Sequence, residues 1–423
     1  MKKKITMIIL AMFLVLFPAI IWATGQAEKG PVKLTIAGRD GGYGKAMQIA
    51  VDEYMKKHPD VSFEVLKLPG ASLYEKVVID MKNAVGTYDV IMIDDPIATQ
   101  FQKAGWLTNL DELYKKKGLS LDPDLISTAV KLGRYPYTDS GTLYALPHVG
   151  NVELFAYRKD LFQKLGLSKP AKWDDVLDAA KKIRESFPDV YGVVFRGVKG
   201  NPIVAGFLPI YWAFGGKVLV NGKPALDSQQ ALNALKFFLK LKQYAPEGVA
   251  MYNSAQVKDA LYGGKAGIVT EVWPSWVPKL NDPNESRVVN KVEVTTHPGE
   301  VEKSSPMIGV WLLGIPKASK HHDAAFDFLQ FITGKEMQIK MADEVGLAPT
   351  RDSVYKVAKL VSKYPWYPVQ NQALKNAVGR PRTTKWSELE NIFGTYLQLA
   401  LIGSMDPEKA LKEANAKMKE VLE

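Results

Sequence analysis

Val32-Lys33-Leu34-Thr35-Ile36-Ala37-Gly38, then Val61-Ser62-Phe63-Glu64-Val65-Leu66-Lys67-Leu68, then Asp89-Val90-Ile91-Met92-Ile93 are the runs whose reading decides the fold. The first alternates, with Val32, Leu34 and Ile36 on one face, which is the period of a strand. Between the first two runs, Ala46, Ile49, Ala50 and Tyr54 recur at helical spacing until Pro59 stops them. Val61 to Leu68 reads as a second strand and Leu73 to Ala84 as a second helix. Asp89 to Ile93 is short and almost wholly apolar, as strands are when a parallel sheet is covered on both faces. The order β-α-β-α-β begins an open α/β sheet, whose ligand crevice lies beyond the carboxyl ends of its strands.

The mixed pattern continues outward from there. Leu143 to Pro147, Val152 to Arg158, Val190 to Phe195, Lys265 to Val272 and Met307 to Ile315 read as strands. Trp173 to Phe187 and Gln229 to Tyr244 read as amphipathic helices. After Pro316 the spacing is helical: Ala324 to Ile332, Gly334 to Val345, Trp386 to Ile402 and Pro407 to Leu422. Asp406-Pro407-Glu408 supplies a capping acid and a proline at the first helical position. There is no internal repeat and no Pro-rich linker, so a chain of this length is expected to cross between two α/β lobes more than once.

Upstream, Lys2, Lys3 and Lys4 precede an apolar run from Ile5 to Phe17, broken only by Thr6, and Pro18 leads to Ala23, Thr24 and Gly25. Charge, apolar run and small residues in that order describe a secretory signal peptide over residues 1–25. Cleavage before Gln26 or before Thr24 fits the small residues, and an uncleaved membrane anchor is the competing reading. Either places the chain in a periplasmic or other extracytoplasmic space. The chain has 0 Cys, which excludes disulfides, a lipid on an N-terminal cysteine and thiol chemistry. Its formal charge is +10, spread through Lys-rich segments such as Tyr114 to Lys117 rather than gathered in a stripe. No nucleic-acid partner is expected.

Enzyme signatures are missing. The histidines His58, His148, His297, His321 and His322 make no zinc spacing, and there is no G-x-S-x-G elbow. The run from Gly38 to Lys45 fails as a phosphate loop, since Arg39 stands where the first glycine belongs and Ala46 where Ser or Thr belongs. What remains is a glycine turn before a helix N-terminus, a general site for polar groups. Aromatic residues stand out instead: Trp212 before Phe214-Gly215-Gly216, Trp273 and Trp276 around Pro274, and Trp311. Flat rings stack on the C–H faces of sugars while Asp, Glu, Asn and Arg take the hydroxyls. Each of these rings reads equally as core. Trp106 and Trp173 read as core.

Several blocks together carry a resemblance. They are Tyr88-Asp89-Val90 with Asp94-Asp95 and Ala104-Gly105-Trp106-Leu107; Leu143-Tyr144-Ala145-Leu146-Pro147; Ala156-Tyr157-Arg158-Lys159-Asp160; Lys172-Trp173-Asp174-Asp175; Gly263-Gly264-Lys265-Ala266-Gly267; Gly309-Val310-Trp311; and Gly346-Leu347-Ala348-Pro349-Thr350-Arg351. In order and spacing the chain resembles the extracellular solute-binding proteins of carbohydrate ABC transporters, the maltose-binding type. The resemblance implies an α/β, two-lobed periplasmic-binding-protein fold (type II), with the ligand cleft between lobes and a hinge of several crossings. It implies lobe one at 31–142 plus 307–350 and lobe two at 143–306 plus 351–423. The crossings would fall near Leu143–Pro147, Pro306–Gly309 and Pro349–Asp352.

Position by position, the resemblance puts Arg39, Asp40, Gly41, Tyr43, Asp94, Asp95, Trp212, Glu271, Trp273, Trp276, Trp311 and Arg380 at the ligand, with Trp386 a further candidate. It implies a monomer that performs no reaction and needs no cofactor. Such a protein captures a mono- or oligosaccharide and hands it to membrane permease subunits. Glu271 and Arg39 depart from the residues common in the family at those places. Two other functions stay open: an exported glycan-acting enzyme, and a binding protein for an acidic sugar, polyol phosphate or peptide. Arg39, Arg196, Arg351 and Arg380 motivate the last, because arginine binds carboxylate and phosphate bidentately.

Overall fold

The structure, a computed structural model, describes residues 31–423. The signal peptide expected at 1–25 lies outside the described residues. Nine strands run in chain order: β1 (Val32–Arg39), β2 (Val61–Leu68), β3 (Val90–Asp94), β4 (Ala145–Val149), β5 (Leu154–Arg158), β6 (Tyr191–Val194), β7 (Ala266–Val272), β8 (Val292–Thr295) and β9 (Trp311–Gly314). They form two sheets, ordered β2-β1-β3-β9-β4 and β8-β5-β7-β6, beside two short hairpins among the described residues. The helices that matter below are α1 (Gly41–Lys57), α2 (Gly70–Lys82), α3 (Asp95–Lys103), α4 (Ser127–Leu132), α5 (Trp173–Ser186), α6 (Asn201–Ala213), α7 (Gln229–Lys242), α8 (Lys335–Val345), α9 (Tyr367–Asn376), α10 (Trp386–Leu401) and α11 (Pro407–Leu422).

The opening β-α-β-α-β forms as its pattern requires. β1 pairs in parallel with both β2 and β3, and β9 runs antiparallel to β3 and β4. Val90, Ile91, Met92 and Ile93 are all buried, because the sheet is covered on both faces. In the second sheet the two-residue period sorts β5 cleanly. Leu154 and Ala156 enter one core, while Phe155 and Tyr157 enter the other with Trp173, α7 and α10. α11 starts where Asp406 accepts hydrogen bonds from the backbone N–H groups of Glu408 and Lys409 at 2.9 and 3.1 Å. The segment 201–213 gives no amphipathic signal because α6 is buried on nearly every side and carries Pro209 inside it.

The lobe boundaries differ from expectation in two places. β4 belongs to the first sheet, paired with β9 through Leu313 and Leu146, so the first crossing falls after Val149 and not at Leu143–Pro147. A buried apolar run reads the same for either sheet, and only the pairing partner separates them. The segment after Pro349 also stays with the first lobe. Thr350 Oγ1 donates to the Pro147 carbonyl at 3.0 Å, Arg351 pairs with Asp122 and Asp124, and Thr128 donates to the Leu374 carbonyl on α9 at 2.7 Å. The third crossing therefore follows α9.

The three crossing segments are hydrogen bonded to one another. Glu153 N–H donates to the Met307 carbonyl at 2.9 Å and Gly309 N–H to the Asn151 carbonyl at 3.0 Å. Ile308 N–H donates to the Val378 carbonyl at 3.0 Å, and Val378 N–H to the Pro306 carbonyl at 2.9 Å. Three chain passages joined by backbone bonds connect the two sheets beside a core that both share.

Candidate functional site

A cavity of about 360 Å³ lies beside these crossings. The first lobe supplies one wall. β1 ends at Arg39, Asp40 alone links it to α1, and Gly41 takes a φ of 63° that suits glycine. The expected loop from Arg39 to Tyr43 is thus a strand end followed at once by a helix start. Trp311 opens β9 opposite Asp94 at the end of β3, so sheet register alone brings an aromatic ring and a carboxylate to the same rim. The Tyr43 and Trp311 ring centroids are 6.0 Å apart, and the Arg39 guanidinium lies 5.0 Å over the Trp311 ring. Tyr43 Oη accepts from Asn151 Nδ2 at 2.7 Å, tying this wall to the first crossing, and burial pushes the phenol pKa up.

The second lobe supplies Trp273, Ser275 and Trp276 just after β7, with Arg196, Asn201 and Ser254. The six-membered ring of Trp273 packs against the second crossing at Gly309. A Cβ on Gly309 would sit 2.7 Å from Trp273 Cζ3, so only glycine lets the ring approach. The indole Nε1 donates to Glu271 Oε1 at 3.0 Å, and Glu271 is itself buried and ion-paired with Arg196. Burial raises the Glu271 pKa against the pull of Arg196 and the indole N–H. Glu153, on the first crossing, has 0 % exposure, and neither carboxyl oxygen has a hydrogen-bond partner. Burial first, and then the nearby Glu271, push its pKa well above 4.5, while Arg196 and Arg380 oppose the rise.

Arg380, on the third crossing, closes the floor. Its guanidinium is 2.6 Å from Asp95, 3.7 Å from Asp94 and 3.9 Å from Glu390. Arg382 reaches Asp95 at 3.3 Å, and Asn201 Nδ2 donates to Glu390 at 2.9 Å. Asp94 keeps 35 % of its side chain open to the cavity. The walls still desolvate it, and with Asp95 and Glu390 adding repulsion its pKa is pushed up to about 7, against the attraction of Arg380.

Of the residues expected at the ligand, Arg39, Asp40, Gly41, Tyr43, Asp94, Trp273, Trp276, Trp311 and Arg380 line this cavity. Three do not. Asp95 is fully buried beneath Arg380 and Arg382. Glu271 stands behind Trp273 as its hydrogen-bond acceptor. Trp212, in the last turn of α6, lines a separate groove with Lys217, Glu302 and Arg382. Trp386 and Trp173 are core, at 1 % and 0 % exposure. Asn151, Asn201, Ser254, Ser275, Met307 and Gly309 also line the cavity, and no local pattern marks them. Asn201 starts the unread helix, and Asn151 is a lone amide in a crossing. Arg196, Arg351 and Arg380 each already hold a carboxylate, which weakens the case for an acidic ligand. Arg39 makes a looser ion pair, with Asp40 at 3.6 Å.

Known proteins share this architecture. The family described as bacterial extracellular solute-binding protein matches residues 39–339. A mannitol-binding protein of Pseudomonas aeruginosa is 28% identical over 415 residues, covering 91% of this chain and 92% of its own. The maltose-bound MalE3 of T. maritima superposes with a TM-score of 0.81 at 28% identity, covering 92% of this chain and 100% of its own. A ribitol-bound ABC-transporter solute-binding protein of Agrobacterium radiobacter gives a TM-score of 0.82 at 27% identity, covering 93% and 99%.

Proposed function

This chain belongs to the bacterial extracellular solute-binding proteins, two-lobed α/β proteins that bind rather than transform their solutes, and on that premise we propose that its cleft captures a small neutral sugar or linear polyol for an ABC importer. The observation that carries the reading is the lining itself. Carboxylate, amide and guanidinium groups from Asp94, Asn151, Asn201 and Arg380 line the same cavity as the rings of Trp273 and Trp311. Rings take the C–H edges of a carbohydrate, and fixed polar groups take its hydroxyls.

At about 360 Å³ the cavity is near the lower end of the usual range of roughly 300–1,000 Å³, which favours one ring or one short chain over an oligosaccharide. The mannitol-binding relative and the ribitol-bound neighbour support the same size class. Neutrality follows from charge, because the buried arginines at the floor are already paired. Ligand bridging both walls would favour the closed arrangement of the lobes, with the three hydrogen-bonded crossings as hinge. The closed monomer would then present its two lobes to permease subunits at the membrane. Among the described residues no helix is long and apolar enough to cross a membrane.

Titration calorimetry against D-mannitol, ribitol, D-tagatose, maltose and glycerol 3-phosphate tests the proposal. Micromolar or tighter binding of a polyol or monosaccharide, with maltose at least tenfold weaker, is the expected result. Preference for glycerol 3-phosphate would overturn neutrality, and preference for maltose would overturn the size assignment.

A further inference from the structure

Behind the first-lobe wall lies a second, smaller chamber of about 160 Å³. Leu73, Tyr74 and Val77 of α2, Met92 of β3, and Ile97 and Phe101 of α3 line it. Arg39 and Asp94 stand at its side facing the cleft, and the Tyr74 hydroxyl within it is engaged with Gln100 at 3.1 Å. The chamber shares Arg39, Asp94 and Trp311 with the polar cleft. Those three side chains are therefore the partition between a wet site and an apolar one.

The partition is loosely held on one side. Arg39 packs over the backbone of Gly70, where a Cβ would meet its Nη1 at 2.7 Å. Its buried Nε has no hydrogen-bond partner among the described residues, and its ion pair is with Asp40 at 3.6 Å. A guanidinium resting on a ring and a glycine, without a bidentate acid, can turn aside at small cost. An apolar cavity of about 150 Å³ lined by Leu, Ile and Phe stays dry and accepts benzene, and this chamber is of similar size, with an apolar lining except for Arg39, Asp94 and the Tyr74 hydroxyl.

We propose that this chamber is an aglycone pocket: the ligand's polyhydroxylated part lies in the cleft, and an apolar substituent of about benzyl size passes Arg39 into the space between α2 and α3. The proposal rests on the sugar or polyol reading of the cleft. It narrows the ligand class to substituted sugars or polyols, and it gives the Arg39 departure a role as gate.

Two probes test chamber and cleft separately. Benzene alone should raise the melting temperature of the wild-type protein by a few degrees. It should not do so for Val77→Phe, whose added ring fills the chamber, and Ile97→Phe serves where Val77→Phe fails to fold. No benzene shift in the wild type, or an equal shift in the filled variants, overturns the chamber whatever the cleft binds. D-mannitol and its 1-O-benzyl ether are then titrated. The ether should bind wild type at least tenfold more tightly, given roughly fourfold per buried methylene equivalent. Val77→Phe should abolish that gain and leave D-mannitol itself unchanged. If benzene binds but the ether gains nothing, the chamber does not serve the ligand and the aglycone claim falls. If no sugar or polyol binds at all, the cleft reading fails on its own, with the benzene result still deciding the chamber.

Discussion

Two charged clusters flank the crossings, and they share an imbalance. At one, Arg380 and Arg382 face Asp94, Asp95 and Glu390. At the other, Arg196 faces Glu271 and Glu153. Each is one cation short, and in each burial first, with neighbouring acids adding to it, drives a carboxyl toward its protonated form: Asp94, up to about 7, and Glu153, well above its ordinary value. Solvent access is what differs. Asp94 opens on the cavity, whereas Glu153 is sealed in the backbone ladder. The same electrostatic shortfall thus acts on ligand binding at one site and on folding at the other.

The largest test of this contrast removes a cation. Arg380→Met leaves Asp95 and Glu390 in a dry site with Arg382 alone. Breaking a buried pair by deleting one partner costs about 3–5 kcal/mol, and urea unfolding should show a loss in that range. The loss should shrink near pH 5, where Glu390, its pKa already raised by burial, takes up a proton more readily. A loss under about 1 kcal/mol would mean that the cluster is solvated and the contrast false. Next in size is Trp273→Ala, which removes a ring braced by Glu271 and Gly309. Ligand affinity should fall roughly 30-fold or more, a larger effect than an aromatic pair contributes to folding, about 0.5–1.5 kcal/mol beyond its area. Equal losses in affinity and apo stability would make the ring core.

The two clusters also mark how far the sequence could be read. Asp94, Trp311 and Tyr43 were legible because they stand at the ends of elements with clear periods, and sheet geometry then delivers them to one rim. Trp212 misled for the converse reason. Its helix is buried on nearly all sides, so the segment shows no helical period, and the ring stands out only by its place before Phe214-Gly215-Gly216. Glu153, Asn151 and Gly309 belong to crossings whose partners lie far away in sequence, and no local pattern encodes a backbone bond from Glu153 to Met307. Glu271 was noticed as unusual, but its role behind Trp273 depends on Arg196 arriving from another strand end. The third crossing was misplaced because α9 carries no mark of which lobe it serves.

Glu153 offers a smaller but cleaner test. Its folded pKa lies above the ordinary 4.5, so the folded chain keeps a proton that the unfolded chain releases above that pH. Stability from this group is therefore lost as pH rises from about 4.5 toward the raised value, by at most about 1.4 kcal/mol per pH unit. Glu153→Gln cannot ionise. It should melt with the wild type near pH 4 and progressively above it toward pH 8. Parallel melting curves at every pH would show that Glu153 titrates alike in the folded and unfolded chain, and the contrast between the sealed and the open carboxyl would fall.

The gentlest test concerns Asp94, where solvent access should turn the same shortfall into a binding effect. An ionised carboxylate accepts hydrogen bonds from ligand hydroxyls better than a protonated one. With a pKa pushed up to about 7, the ionised fraction grows about tenfold between pH 6 and pH 8. Wild-type affinity for D-mannitol should rise by about that factor over the interval. Asp94→Asn should be weaker at pH 8 and flat across the range, while its melting temperature stays close to the wild type because the side chain opens on the cavity. A wild-type affinity independent of pH would mean that Arg380 keeps Asp94 ionised throughout. The two clusters would then differ in charge balance as well as in exposure, and only the sealed one would hold a proton.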